Sequence, residues 1–510
     1  MNREPRRYQP TMPSSLLEAE ATPEVAIDPP IVRAKRTGVV LCPDIKRVLF
    51  RPFVPGDDTR VMKILARVMA LSEVDAQAQL EQVFAEFGNR HVEMEQFFIK
   101  RYHDVRRHLL TDTPLSEERK LLIGAYFTNE YSLEASALFN PSMVWHPDQS
   151  GLDEDQRRFV LSLRATGEGH ISSITFRSGR IDAQNQIHID PVSRFVTPPD
   201  AYPSKTYEKS LIDLKMSELK MRNEAVGRML GELPDLFTLP ELEKRVRQVQ
   251  RQWPSPGADA AGQALLELAR SNYDLSYEPD NSLSERIIFP FAPNETNGIE
   301  DARFVQFVDD DGTRTYYATY TAYNGKVIFP QLLETQDFLH FHISTLNGTE
   351  VQNKGMALFP RKINGRYAMI SRQDNENIFI MFSDNLHFWN SKQILLKPAY
   401  PWEMIQLGNC GSPIETEAGW LVLSHGVGPM RKYSIGAFLL DLDDPTKVLG
   451  RLKEPLLSPD ENEREGYVPN VVYSCGGLLN GRELIIPYAM SDYSSSFATI
   501  GLDQLLAAMG

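Results

Sequence analysis

From about residue 284 to its end the chain is a series of short apolar runs of strand length, separated by turn residues. "RIIFPF", "ARFVQFV", "TYYATYTAY", "KVIFPQLL", "FLHFHIS", "YAMISR", "NIFIMFS", "WLVLSHGV", "IGAFLLDL", "NVVYSCGGLL" and "ELIIPYAM" follow one another. β-Branched and aromatic residues at this density, punctuated so regularly, predict a large all-β unit. No blade-length period recurs, so the patterning alone fits a sandwich and a propeller equally.

Upstream, the periodicity is helical. In "DTRVMKILARVMALSEVDAQAQLEQVFAEF" the residues Val61, Ile64, Leu65, Val68, Met69 and Leu71 recur at helical spacing, followed by Leu80, Val83, Phe84 and Phe87. Ser72 is placed to cap the second helix. These runs, with "MEQFFIKRYHDVRRHLL" and "SEERKLLIGAYFTNEYSLEASALF", predict an all-helical N-terminal unit whose plain role is packing or oligomer contact. "RRFVLSLRATGEGHISSITFRSGRID" reads as two strands around a Gly-rich turn, and helix formers return over roughly 205 to 272, interrupted by "WPSPGADAAG". The resulting division is a disordered tail over 1–35, a helical domain over 36–133, a first β unit over 134–204, a helical insertion over 205–275 and the remaining β unit over 276–510.

Composition removes several function classes. A net charge of −14 argues against a general nucleic-acid binder, which needs a basic face. No apolar run reaches the roughly 18 residues that span a bilayer, and the Pro-rich, charged amino terminus has no h-region, so no membrane partner is expected. Cys42, Cys410 and Cys475 are far apart, with no CxxC spacing, which fits a cytoplasmic protein without a metal site. "DDDG" at 309–312 lacks the alternating ligands of a calcium loop and reads as a charged hairpin turn.

Several motifs occur in an order that resembles glycoside hydrolase family 130, the mannoside phosphorylases. "NGIEDARFVQF" is similar to the family's Glu-Asp-Pro-Arg signature, with Ala302 at the Pro position. "VQNKGMALFPRKINGRYAMISR", "LGNCGSPIETEAGWLVLSHGV", "YSIGAFLLDLDDPTKVLGRLKEPLL", "EREGYVPNVVY" and "YAMSDYSSSFATI" continue the order, and "ALFNPSMVW" with "FVLSLRATGEGH" resembles the family's first blade. The resemblance implies an all-β five-bladed β-propeller, here with an N-terminal α-helical domain and a helical insertion. It also implies inverting phosphorolysis of β-mannosides to α-mannose 1-phosphate.

An inverting phosphorylase needs one acid and a cradle for phosphate, because phosphate itself is the nucleophile. The resemblance makes Asp301 the proton donor, and a donor at neutral pH requires burial or a neighbouring carboxylate such as Glu300 to raise its pKa. Arg303 either opposes that or holds sugar hydroxyls. Asn140, Arg164 and Asp492 match sugar-binding positions, and His170 in "GEGHISS" is a further candidate without a family counterpart. Arg372, His425 and Tyr433 match phosphate-binding positions. The family's lysine is replaced by Gln406, with Arg431 or Lys432 able to compensate. A hydrolase using Glu463 or Glu465 as base, and a non-catalytic glycan-binding protein, are the alternatives. No cofactor beyond phosphate as co-substrate is expected, and the amphipathic helices fit a homo-oligomer.

Overall fold

The computed structural model describes residues 30–111, 113–325 and 328–510; the expected disordered tail lies mostly outside them. Among the described residues, five antiparallel sheets of at least four strands follow one another along the chain, and two short two-stranded ribbons accompany them. The first sheet is built on Ala137–Trp145, Arg157–Thr166 and Ser172–Ile181, and the second on Ile299–Val308, Arg314–Tyr323, Ile328–Thr335 and His340–Thr345. The third comprises Ala357–Leu358, Tyr367–Ser371, Ile378–Ser383 and Gln393–Leu396. The fourth is built on Gln406–Asn409, Gly419–Val427, Tyr433–Leu440 and Val448–Arg451, and the fifth on Val472–Tyr473, Glu483–Met490 and Ser494–Gly501. Successive strands pair with their neighbours, as hairpin connections dictate.

The middle strands are apolar on both faces, and the packing explains why. In Arg157–Thr166, Phe159, Leu161 and Leu163 pack in a core shared with Ile485 and Phe497 of the fifth sheet. Val160, between them, faces Phe304, Tyr316 and Ile343 of the second sheet. In Gly419–Val427, Trp420 and Val422 pack with Ile370 and Ile380 of the third sheet, while Leu421 and Leu423 pack with Leu484 and Ile486 of the fifth. Val305 and Phe307 meet Met369 and Met381 between the second and third sheets. Each sheet thus buries both faces, the fifth against the first, which is why the sequence shows continuous apolar runs rather than alternation.

Three strands stand where the sequence reading has a helical domain. Lys35–Leu41 adds to the fifth sheet by pairing with Ser494–Gly501, and Val48–Pro52 pairs with Thr128–Ser132. Between them lie the helices Asp58–Met69, Glu73–Phe87, Met94–Val105 and Glu117–Tyr126, which share an apolar core around Leu65, Leu122 and Phe127. Ser72 caps the second helix by accepting from Asp75 N, as expected. The insertion carries Lys209–Glu218, Glu224–Gly231, Leu239–Gln252 and Pro256–Arg270 around a core of its own. "WPSPGADAAG" interrupts the helices only briefly: Ser255 caps the last of them and Pro256 occupies its first turn, where a missing N–H costs nothing. The flanking strands Asp200–Pro203 and Tyr273–Ser276 extend the second sheet.

Buried glutamates fasten these parts together. Glu295, Glu403 and Glu463 each end a short 3₁₀ turn ahead of an inner strand and accept backbone N–H groups from the residues opening it. Glu295 also takes the hydroxyls of Tyr273 and Tyr320, Glu403 pairs with Arg451, and Glu463 binds Arg36 and Tyr488. Glu134, fully buried, bridges Arg47 at 2.9 Å and Arg177 at 2.6 Å. Arg47 reaches on to the carbonyls of Ser193 and Ser284. Removing Glu134 strands two guanidinium groups in the interior. Glu134→Ala is therefore expected to cost about 3–5 kcal/mol of stability, read as a lowered denaturant midpoint, whereas a substitution at the exposed Glu154 leaves the midpoint in place.

Candidate active site

The inner strands of the first two sheets each carry a register shift, between Phe139 and Ser142 and between Glu300 and Arg303. Inside these bulges Asn140 and Asp301 have left-handed backbone, with φ of 51° and 55°. A bulge re-aims a side chain out of the alternating pattern. The two side chains meet here, with Asn140 Nδ2 donating to Asp301 Oδ1 at 2.7 Å. Arg164 reaches Asp301 Oδ1 at 3.4 Å and Glu300 Oε1 at 2.9 Å, and Lys354 Nζ donates to Glu300 Oε2 at 2.5 Å. Lys354 stands in the "QNKG" stretch, and sequence reasoning gave it no role.

Arg303, expected either to favour the ionised form of Asp301 or to hold sugar hydroxyls, does the first, helping to hold the Asp301 pKa down. It is 1% exposed, and its guanidinium donates to Cys410 O, to Asp301 O and to the Tyr473 hydroxyl. It therefore fixes the bulge that presents Asp301. The link to Tyr473 was not visible in the sequence because it joins the second sheet to the fifth.

Arg372 and His425 lie beside this cluster. Arg372 Nη1 is 3.4 Å from His425 Nε2, and Tyr433 stacks on His425 with centroids 6.0 Å apart. Two glycines make the approach possible. A Cβ on Gly355 would fall 2.4 Å from Arg372 Nε, and one on Gly408 would fall 2.4 Å from His425 Cε1 and 2.9 Å from Arg372 Cδ. Among the described residues, Arg372 Nε has no hydrogen-bond partner although it is buried, and neither has Asn140 Oδ1. Buried polar atoms without partners are costly, and their concentration here is what a ligand site leaves behind. Gln406 lies two residues before Gly408 on the same strand face, opposite Val427.

The ionisation pattern differs from the expected one. Burial raises the Asp301 pKa, but Arg164, Arg303, Lys354 and the Asn140 hydrogen bond outweigh it and hold the carboxyl at about 2. Glu300, tied to Arg164 and Lys354, does not lift it above the usual carboxylate range. The raised carboxyl is Asp492, pushed up to about 6 by burial and then by the negative charge of Asp301. Asp492 sits with Ser491 at the centre of a tight turn, both with left-handed backbone. Burial, then Arg372 and Arg303, push His425 well below its usual range, so its imidazole is neutral.

The remaining candidates separate cleanly. His170 is exposed at the tip of the hairpin following Arg164, away from the carboxylate cluster's hydrogen bonds. Glu463 is spent on Arg36 and Tyr488, which removes it as a free base, and Glu465 is exposed. "DDDG" is a hairpin turn, with Asp309 and Asp310 bound by Lys362. No helix among the described residues is long and apolar enough to cross a membrane.

A pH experiment follows from Asp492. Its folded pKa of about 6 lies above the unfolded value of about 3.9, so the folded chain holds the extra proton across that interval. This contribution to stability is full below about pH 4 and is lost as pH rises through 6. Asp492→Asn is expected to remove it, so that the variant gains on the parent by roughly 1–3 kcal/mol between pH 4 and 7, measured by denaturant unfolding at stepped pH.

A family model described as beta-1,4-mannooligosaccharide phosphorylase matches residues 264–510. The 1,2-beta-oligomannan phosphorylase of Thermoanaerobacter sp. (strain X514) is 35% identical over 241 residues, covering 44% of this chain and 76% of that protein. The beta-1,2-mannobiose phosphorylase of Listeria innocua serovar 6a is 34% identical over 251 residues, covering 48% of this chain and 68% of that protein. A solved structure of a Listeria innocua beta-1,2-mannobiose phosphorylase with beta-1,2-mannobiose matches 74% of this chain and 93% of that one, at 24% identity and a TM-score of 0.45. On the strength of the two sequence relatives, the chain belongs to glycoside hydrolase family 130, the β-mannoside phosphorylase family.

Proposed function

We propose that this protein cleaves β-mannosides by phosphorolysis with inversion, giving α-mannose 1-phosphate and a shortened acceptor. The observation that carries the reading is the pairing of an enclosed carboxylate, Asp301, with a buried arginine, Arg372, that has an unsatisfied donor beside a neutral histidine. The named phosphorylase relatives support it. The five sheets, each sharing a core with the next and the fifth with the first, are on this reading the blades of a five-bladed β-propeller. The site lies where their inner strands converge. The helices of 58–126 form an added domain on the same reading.

In this mechanism Arg372 forks to two phosphate oxygens while His425 and Tyr433 supply further donors. Asn140, Arg164 and Asp492 hold the mannosyl ring, with Glu300 kept in place by Lys354 and Arg164. Asp301 delivers the proton toward the leaving oxygen, by way of a sugar hydroxyl. A phosphate dianion beside Arg372 and Arg303 offsets the positive charge that holds the carboxyl down, so its pKa climbs when the site is filled. Arg303 acts as a positioning residue, and Lys354 joins the sugar side.

The test is product analysis with and without phosphate. The expected result is phosphate-dependent release of α-mannose 1-phosphate; free mannose formed equally fast without phosphate would reject phosphorolysis. Asp301→Asn is expected to lower kcat by about 10²–10⁴ while phosphate still protects the protein thermally. Gln406→Lys places a cation on the strand face that carries Gly408, against Arg372 and His425. It is expected to lower the KM for phosphate about fivefold, as an added partly screened charge of ~1 kcal/mol would.

A further inference from the structure

The hairpin joining Arg157–Thr166 to Ser172–Ile181 and the one joining Gly419–Val427 to Tyr433–Leu440 have the same form. Gly167 N donates to Ile171 O at 3.1 Å, and Gly428 N donates to Lys432 O at 3.0 Å. Each tip has two consecutive left-handed residues, Gly169 and His170 in one, Met430 and Arg431 in the other. His170 thus ends the tip of the hairpin that follows Arg164, as Arg431 ends the tip of the hairpin that follows His425.

The second element at the mouth is the loop holding Gly466, Tyr467 and Val468. Val468 N donates to Ser491 O at 3.1 Å, and a Cβ on Gly466 would fall 2.3 Å from the same oxygen. The loop is thereby strapped to the turn that carries Asp492. Tyr467 between them is 58% exposed, and its ring lies 5.6 Å from the His170 ring with 33° between the planes. Two rings from different parts of the chain thus meet at a shallow angle. One belongs to the hairpin that follows Arg164 and the other to the loop tied to the Ser491–Asp492 turn, and neither ring is buried.

Resting on the phosphorolysis reading above, we propose that the His170–Tyr467 ring pair is the platform for the acceptor-side sugar, the ring across the cleaved bond from the mannosyl unit. The mannosyl ring must touch Asp301, Arg164 and Asp492, so it lies beneath the rings. The chain continuing outward from its anomeric oxygen meets the mouth next. Pyranose rings present a face of C–H groups that packs on aromatic rings, while their equatorial hydroxyls stay in water. Exposed rings suit this division, and neither ring is needed for bond cleavage itself.

The experiment compares Tyr467→Ala, Tyr467→Phe and His170→Ala with the parent, in synthesis from α-mannose 1-phosphate with mannose or β-mannobiose as acceptor. Tyr467→Ala is expected to raise the acceptor KM roughly tenfold, leaving the KM for α-mannose 1-phosphate within twofold. Tyr467→Phe retains the parent's value, and His170→Ala shifts the acceptor KM in the same direction by less. Unchanged acceptor KM in both alanine variants, or equal rises for acceptor and α-mannose 1-phosphate, would overturn the platform. If the parent itself turns over no β-mannoside with phosphate, the phosphorolysis reading fails separately. Calorimetric titration of β-mannobiose onto Asp301→Asn, with and without Tyr467→Ala, then decides the platform. Weaker binding in the double variant supports it, and equal or absent binding sinks it.

Discussion

A carboxylate enclosed in protein persists only with cations in reach, and Asp301 draws them from three places in the chain. Arg164 comes from the first sheet, Arg303 from the second, and Lys354 from the segment entering the third. None of the three is near in sequence to more than one of the others. The site therefore exists only when the sheets have docked, and docking is decided by the apolar cores between them. The family match begins at residue 264, yet Asn140 and Arg164 lie well before it. The first sheet is consequently as much part of the site as the matched region.

The buried glutamates do for the backbone what the cations do for Asp301. A turn ahead of an inner strand leaves N–H groups without partners, and Glu295, Glu403 and Glu463 accept them. Each glutamate is in turn satisfied by hydroxyls or a guanidinium from another strand, so the turn and the sheet cannot shift separately. This rigidity matters at the bulges. Left-handed φ at Asn140 and Asp301 stores strain that only a well-braced neighbourhood retains.

The β region and the helices were legible because burial wrote itself into composition. A strand packed on both faces must be apolar throughout, and a two-faced helix must repeat every three or four residues. Lys35–Leu41 was not legible because, at the outer side of the fifth sheet, none of its residues is fully buried and "KRTGVVL" has neither pattern. The glutamate turns were missed because they are unevenly spaced, so no period reveals them. At the site, residue types within motifs pointed to Asn140, Arg164, Asp301, Arg372 and His425, which the structure brings together in one region. Lys354 and Tyr473 went unassigned because their roles depend on cross-sheet contacts, and Tyr467 because its partner His170 is nearly 300 residues away.

The contrast between Asp301 at about 2 and Asp492 at about 6 is one consequence of a single field. Arg164 acts on both carboxyls, yet Asp301 also has Arg303, Lys354 and the Asn140 amide. The better-served carboxyl keeps its charge, and burial, then that charge, favours the proton on its neighbour. A neutral sugar entering between them displaces water without adding charge, so it leaves this order intact. On the proposed reading phosphate is different, because it brings negative charge beside Arg372 and Arg303, the cations that act on His425. The added negative charge offsets part of the cationic field that holds Asp301 ionised, while Arg303 stays bound to Cys410, Asp301 and Tyr473. On the proposed reading, protonation of Asp301 is coupled to the arrival of the nucleophile, so the carboxyl holds a proton to give when phosphate is in place to attack.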